Sequence, residues 1–409
     1  MDKLIKCGKF FSASNQTVKN NIAVIIRKNL IIDILPLDKI SNEDNYEVID
    51  LLDGFVMPGL IDTHIHCNLN GTFESFGQSY SLSPAFYALK GLPQIQANLM
   101  AGFTSVRDMG CAGFSDVALR DAIDQGIHWG SRIFTSGLPV NTLGGAGDSN
   151  FQPPYQGGSR NHMRAVVCGV EEARQAARFN FKYGADQVKM LATSAVLGSS
   201  DEAGPQELTY EEMRAMIEVA EFNGKISAAH AIGNKGIKAA IKAGVTSIEH
   251  GSFMDEEAAE MMCEKGIYHV PTLIALERIL EHIDDKSIPS YAIKKAKDCE
   301  QARIKAFQLS LKKGVKIAFG TDAATPYNKH GEQAYEFVLM VKYGMKPADA
   351  IISATKTAAE LLRWDDRLGT LEIGKLADII STRENPLEDI SALGRVSFVM
   401  KDGEIYKRE

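Results

Sequence analysis

The sequence lacks the features that would mark a disulfide-stapled, membrane-bound or nucleic-acid-binding chain. Its six cysteines (Cys7, Cys67, Cys111, Cys168, Cys263 and Cys299) are scattered and form no Cys-x-x-Cys. Neither a thiolate zinc motif nor a disulfide framework is therefore indicated, and free buried thiols in a reducing cytoplasm are the expectation. No run of 18 apolar residues occurs, and Met1-Asp2-Lys3-Leu4-Ile5-Lys6 lacks the apolar core of a signal peptide. The sequence therefore points to no membrane span and to a cytoplasmic location. No block of like charges reads as a tail, and a net charge of -7 argues against nucleic acid as the partner, since phosphate binding needs a basic face. Low-complexity segments and sequence repeats are absent too.

What is present is ordinary globular composition, 45% hydrophobic and 24% charged over 409 residues. That length accommodates a barrel of about 250 residues plus a smaller unit. The densest chemical signal is Gly59-Leu60-Ile61-Asp62-Thr63-His64-Ile65-His66, entered from the apolar run Phe55-Val56-Met57 through Pro58. Side chains alternate faces along a strand, so His64 and His66 point the same way and can share one ion, with Ile65 on the opposite face.

Both ends of the chain read as β-hairpins. Ile22–Ile26 and Leu30–Ile34 flank a polar turn, and Val396–Met400 is followed by Lys401-Asp402-Gly403 and Glu404-Ile405-Tyr406. The expectation is that residues 1–58 and 366–409 meet in one small β-sandwich domain. Between 59 and 365 short apolar runs alternate with amphipathic stretches. Strands are expected at 104–107, 132–135, 187–191, 226–230, 246–250, 268–272 and 316–320, in addition to the histidine-bearing one. Helices are expected over 171–183, 209–223 (with Thr209 and Glu212 as a capping box) and 234–243, with Gly224, Gly244, Gly266 and Gly314 as helix stops. Eight such units describe an α/β fold, a (β/α)8 TIM barrel. Active sites in that fold lie at the C-terminal strand ends, where His64, His66, Lys189, His230, His250 and Asp322 would converge. Imidazole and carboxylate suit zinc and similar divalent ions.

The segments Gly59–His66, Gln187-Val188-Lys189, Ala228-Ala229-His230, Ile248-Glu249-His250-Gly251 and Phe319-Gly320-Thr321-Asp322-Ala323 resemble the amidohydrolase superfamily. They are most similar to its imidazolonepropionase-related branch of prolidase-like and Xaa-Arg/Lys dipeptidases and carboxypeptidases. The likeness extends to Leu368–Asp378 and Asn385-Pro386-Leu387.

This resemblance implies a centre of two divalent metal ions, zinc being the expected metal. His64, His66 and Asp322 would bind one ion, His230 and His250 the other, and Lys189 would bridge them as a carboxylated lysine. An ammonium cannot ligate a cation, so Lys189 beside two metals must lose its proton, and carbon dioxide then makes it anionic. The metals would supply hydroxide at neutral pH, and Asp322 would be the catalytic acid and base. The implied reaction is hydrolysis of an amide, with a dipeptide or N-acyl amino acid cut at its C-terminal residue as the leading small-molecule substrate and a homo-oligomer as the expected assembly. A cyclic amide, lactone, carbamate or phosphoester is the alternative, and a non-catalytic metal-binding protein the lesser one. Imidazolone hydrolysis and deamination are disfavoured, because those relatives generally use one metal and lack the bridging lysine.

The chain departs from the peptidase pattern at two points. Gly144-Gly145-Ala146-Gly147-Asp148 stands where relatives often carry Gly-Gly-His, and Ile232 stands where they tend to have Tyr or His. The glycines there read as a mobile loop, since no Walker-type lysine follows. Asn328-Lys329-His330-Gly331 matches a His-Gly of relatives, which puts His330 where a substrate carboxylate could be met. His128, His162 and His282 match no motif.

Overall fold

The computed structural model describes residues 1–72, 82–148, 165–198, 200 and 202–409. In chain order the strands are β1 (Asp2–Phe11), β2 (Val18–Arg27), β3 (Leu30–Pro36), β4 (Tyr46–Pro58), β5 (Leu60–Ile65), β6 (Phe103–Asp108), β7 (Arg132–Phe134) and β8 (Val140–Thr142). They continue with β9 (Ala165–Val167), β10 (Gln187–Leu191), β11 (Ile226–Ala231), β12 (Ser247–His250), β13 (Tyr268–Val270), β14 (Ile379–Thr382), β15 (Val396–Lys401) and β16 (Glu404–Arg408).

The two terminal hairpins form as β2–β3 and β15–β16, each antiparallel. They belong to one seven-stranded sheet in the order β16-β15-β14-β4-β1-β2-β3. The sequence reading expected a sandwich of two facing sheets; among the described residues the terminal strands make this single sheet, which curls over itself. Ile31 N donates to Lys375 O at 2.9 Å and Ala377 N to Asn29 O at 2.8 Å. Ile5, Val24, Ile31, Phe398 and Met400 share the enclosed core. A twisted sheet that folds back in this way buries one face without needing a second sheet. Phe11, Phe55, Met57 and Val399 pack instead with Phe103, Phe319 and Phe337, joining this sheet to the rest of the chain.

The middle of the chain carries parallel strands in two sheets, β5-β6-β7 and β13-β12-β11-β10-β8-β9. Backbone hydrogen bonds cross both gaps between them. On one side Asp186 N donates to Thr135 O at 2.8 Å. On the other, the 316–323 segment runs between β13 and β5: His269 N donates to Lys316 O at 2.8 Å, Thr63 N to Phe319 O at 2.9 Å and Asp322 N to His64 O at 2.7 Å. This segment was expected as a strand over 316–320 but makes only single bridges, Ile317 to His269 and Ala323 to Ile65. The segment packs closely on β13 at Gly320, where a Cβ would stand 2.4 Å from Val270 Cγ1. The strand pair β8–β9 was not anticipated.

Helices fill the connections. Val170–Lys182, Tyr210–Phe222 and Asn234–Ala243 lie where the periodicity put them. Thr209 and Glu212 form the reciprocal capping box, satisfying two backbone donors at the helix start. Four cysteines, Cys7, Cys67, Cys111 and Cys299, are buried free thiols; contrary to the expectation for all six, Cys168 and Cys263 are exposed. Among the described residues no helix is long and apolar enough to cross a membrane.

Candidate metal centre

Parallel pairing brings the C-terminal ends of the strands to one side. Leu191 pairs with His230 and Ala231 with His250, while His64 lies in β5 and His66 just beyond it. Here His64, His66, Lys189, His230, His250 and Asp322 line one cavity of about 320 Å³. His64 Nε2 and His66 Nε2 lie 3.4 and 3.2 Å from the same atom, Asp322 Oδ1. The ring centres of His64 and His250 are 5.1 Å apart, and those of His230 and His250 4.5 Å. His64, His250 and Asp322 offer ligand atoms that all lie within 4.8 Å of one another.

These residues fit a metal. Asp322 Oδ1 is buried without a hydrogen-bond partner among the described residues, although two imidazole nitrogens stand within ion-pair distance. A buried acceptor left so is costly unless a cation completes it. The far ring nitrogens are held: His64 Nδ1 meets Glu249 Oε2 at 2.8 Å, His66 Nδ1 meets Gly110 O at 3.1 Å and His250 Nδ1 meets Thr272 Oγ1 at 2.7 Å. Carboxylate and carbonyl oxygens only accept, so His64 and His66 carry their protons on Nδ1 and turn Nε2 lone pairs toward Asp322. His230 is reversed, with Nε2 3.5 Å from Ser194 O, which leaves Nδ1 as its free ligand atom.

Electrostatics favour the ligating forms. Burial takes the His230 pKa down to about 3 and holds His64 and His250 below the ordinary imidazole range. His66 goes the other way: burial would lower it, but the negative charge of the neighbouring Asp322 carboxylate outweighs that. Burial would raise Asp322, but His64, His66 and His250 hold it well below the usual carboxylate range. Lys189 is 3% exposed, and burial lowers it to about 8. About a tenth of the amine is then neutral at pH 7, far more than for an ordinary lysine, and neutral amine is the form that adds carbon dioxide.

Several supporting residues escaped the sequence reading. Glu249 is fully buried; Arg107 Nη2 donates to its Oε1 at 2.9 Å, and Ser247 Oγ donates to the same oxygen. Arg107 Nε donates in turn to Thr63 O, so one ion pair ties β5, β6 and β12 together behind His64. Asp62 accepts from His64 N at 3.0 Å and from Thr321 Oγ1 at 2.6 Å, linking the His-x-His strand to the segment that carries Asp322. The available signal was a charged residue inside each apolar strand run. No sequence signal marked the backbone at His250 (φ 69°), Thr272 (φ 47°) and Asp322 (φ 58°), three left-handed non-glycine residues at one site. Such conformations cost about 1–3 kcal/mol each and collect at functional sites.

His330 is placed differently from expectation. Its Nδ1 meets Asn98 Oδ1 at 3.0 Å and its Nε2 meets His66 O at 3.2 Å, and the ring does not line the cavity. With both nitrogens engaged it holds the backbone of His66 in place of a substrate carboxylate. Ala146 and Ile232 do line the cavity, and Ala146 N donates to the Glu207 carboxylate at 3.0 Å. His282 stacks on Tyr327. His162 lies outside the described residues.

Comparison with known proteins agrees with this geometry. A family model described as "Amidohydrolase family" matches residues 55–406. The chain is 39% identical to a Xaa-Pro dipeptidase crystallised with bound methionine in its active site, with 100% of both chains covered and a TM-score of 0.93. It is 30% identical to a prolidase complexed with N-methylphosphonate-L-proline, again over 100% of both chains, with a TM-score of 0.91. It is also 32% identical over 373 residues to an ochratoxinase of Aspergillus niger, 86% of this chain and 75% of that one.

Proposed function

The chain belongs to the amidohydrolase family and is a hydrolase acting on amide bonds; from that premise we propose that it uses two divalent metal ions to release the C-terminal residue of a dipeptide or an N-acyl amino acid. The observation that carries the reading is the convergence of His64 Nε2 and His66 Nε2 on the unpartnered Oδ1 of Asp322, with His230, His250 and Lys189 lining the same cavity. The substrate class is supported by the dipeptidase and prolidase relatives. A free amino acid in the active site of the first is what cleavage of a dipeptide would leave behind.

We further read the two parallel sheets as one (β/α)8 barrel closed through the 316–323 segment, supported by the hydrogen bonds across both gaps. Residues 1–58 and 366–409 then form the small β unit beside it.

His64, His66 and Asp322 would hold one ion, His230 and His250 the other, with carboxylated Lys189 between them; the nitrogen-and-oxygen donor set suits zinc. When bound, the ions acidify water and polarise the amide carbonyl. Asp322 is ionised, so one of its carboxylate oxygens takes the proton of the attacking water and returns it to the leaving nitrogen as the C–N bond breaks. Glu249 and Gly110 fix the rings of His64 and His66 by their far nitrogens. The test is release of free amino acid from a library of dipeptides and N-acyl amino acids by the zinc-loaded protein. C-terminal release is expected, and failure to cleave any amide with two metals per chain overturns the reading.

A further inference from the structure

One side of the cavity is built from apolar side chains that pack as a cluster separate from the main cores. Ile232, Leu276, Ile279 and Cys299 are among its buried members, and Val196 and Leu197 pack against them; these six line the cavity. They come from four places: the loop after β10, the residue that follows β11, the helix Leu273–Glu281 and the helix Ser290–Lys313. The wall starts two residues beyond His230.

A buried cation holds this wall in shape. Lys295, 1% exposed, donates from Nζ to Ala195 O at 3.0 Å, Gly198 O at 2.6 Å and Ser200 O at 3.0 Å. An ammonium is costly to bury, and three carbonyls offset that cost only if the turn bearing them keeps one geometry. Val196 and Leu197 sit on that turn, so their position is set by Lys295.

Beyond the centre itself, the charged side chains lining the cavity among the described residues are Asp148 and Arg303. The Arg303 guanidinium is engaged, by Leu273 O at 2.8 Å and by Glu277. A charged substrate group laid on the wall would lose its water and meet only apolar side chains of the described residues there, whereas an apolar group gains by burial.

We propose that this wall is the specificity subsite, taking a bulky apolar side chain of the amide substrate (branched aliphatic, thioether or aromatic), and that Lys295 is the positioning residue that keeps its shape. The inference rests on the amide-hydrolase reading above and adds the class of substrate.

The test measures kcat/KM on the zinc-loaded full chain for N-acetyl amino acids and dipeptides carrying Leu, Met or Phe against the same compounds carrying Gly, Asp or Lys. Preference for the bulky apolar set by about tenfold or more is expected, the scale on which apolar pockets discriminate. Leu276→Ser lowers that ratio about tenfold with metal content unchanged. Lys295→Met lowers it through KM more than kcat, a split that general loss of structure would not produce. Equal or better turnover of the Gly and charged set, or a wild-type ratio in Leu276→Ser, overturns the subsite. If no amide is cleaved, calorimetric binding of N-acetyl-leucinamide against N-acetylglycinamide still decides it. A preference for the former that Leu276→Ser abolishes sustains the wall while the hydrolytic reading falls; equal binding overturns the wall as well.

Discussion

His64 donates its Nδ1 proton to Glu249 across 2.8 Å, and neither side chain is more than 2% exposed. The pair lies behind the metal centre, and Arg107 closes it from the other side at 2.9 Å. His64 is thereby held in one tautomer, and Glu249 is kept ionised despite full burial, because Arg107 and His64 outweigh the desolvation. Glu249→Gln is expected to weaken metal binding about 10- to 100-fold, the usual effect of losing a partner that orients a ligand. It should also cost about 3–5 kcal/mol of stability, since Arg107 is left buried beside a neutral group. Chelator competition and thermal unfolding measure the two effects, and wild-type metal affinity would refute the orienting role.

Lys189 is expected to carry a carboxylate when metals are bound. Growth or reconstitution with carbon-13 bicarbonate should give a carbamate carbon signal in the wild type that Lys189→Ala lacks. The variant should also hold fewer than two metals per chain; retention of two would end the bridging proposal.

Asp322→Asn keeps the shape of the side chain and removes its basicity. At saturating metal, kcat on the best amide substrate is expected to fall about 10²- to 10⁴-fold, the range of a lost general acid–base. A loss confined to KM would assign Asp322 to binding only.

The metal-free protein should lose stability in acid through His230. Its folded pKa is about 3 against an ordinary 6.5. Between those values the unfolded chain binds a proton that the folded ring refuses. The stability is therefore full above pH 6.5 and declines as pH falls toward about 3. Each unit of difference is worth about 1.4 kcal/mol, so the wild type should fall behind His230→Asn by a few kcal/mol across this window. Parallel stability curves for the two proteins would contradict the assignment.

Thr272 stands in the left-handed region with its hydroxyl 2.7 Å from His250 Nδ1. Thr272→Val keeps the branched side chain and removes that hydrogen bond. The metal proposed at His230 and His250 should bind about 10-fold more weakly, read as partial occupancy in a metal assay at limiting zinc. Full occupancy there would show that the ring is oriented by packing alone.

Much of this molecule was legible in the chain itself, wherever one short stretch carries the whole cause. The spacing of His64 and His66 puts both imidazoles toward Asp322 because a strand alternates faces. Thr209 and Glu212 cap a helix because both groups lie within one turn. Hairpins at both ends follow from polar turns between apolar runs. What the chain alone leaves open depends on partners far apart in sequence. Arg107 meets Glu249 across 142 positions, and Asp62 meets Thr321 across 259. His330 is turned inward by Asn98, 232 positions away. The positive φ at His250, Thr272 and Asp322 is unfavourable locally and is imposed by the surrounding packing. The curled seven-stranded sheet and the apolar wall held by Lys295 likewise exist only once distant segments pack together. Residue type and period thus determined which groups could bind metal, and tertiary packing decided their tautomers, their charges and the cavity that a substrate meets.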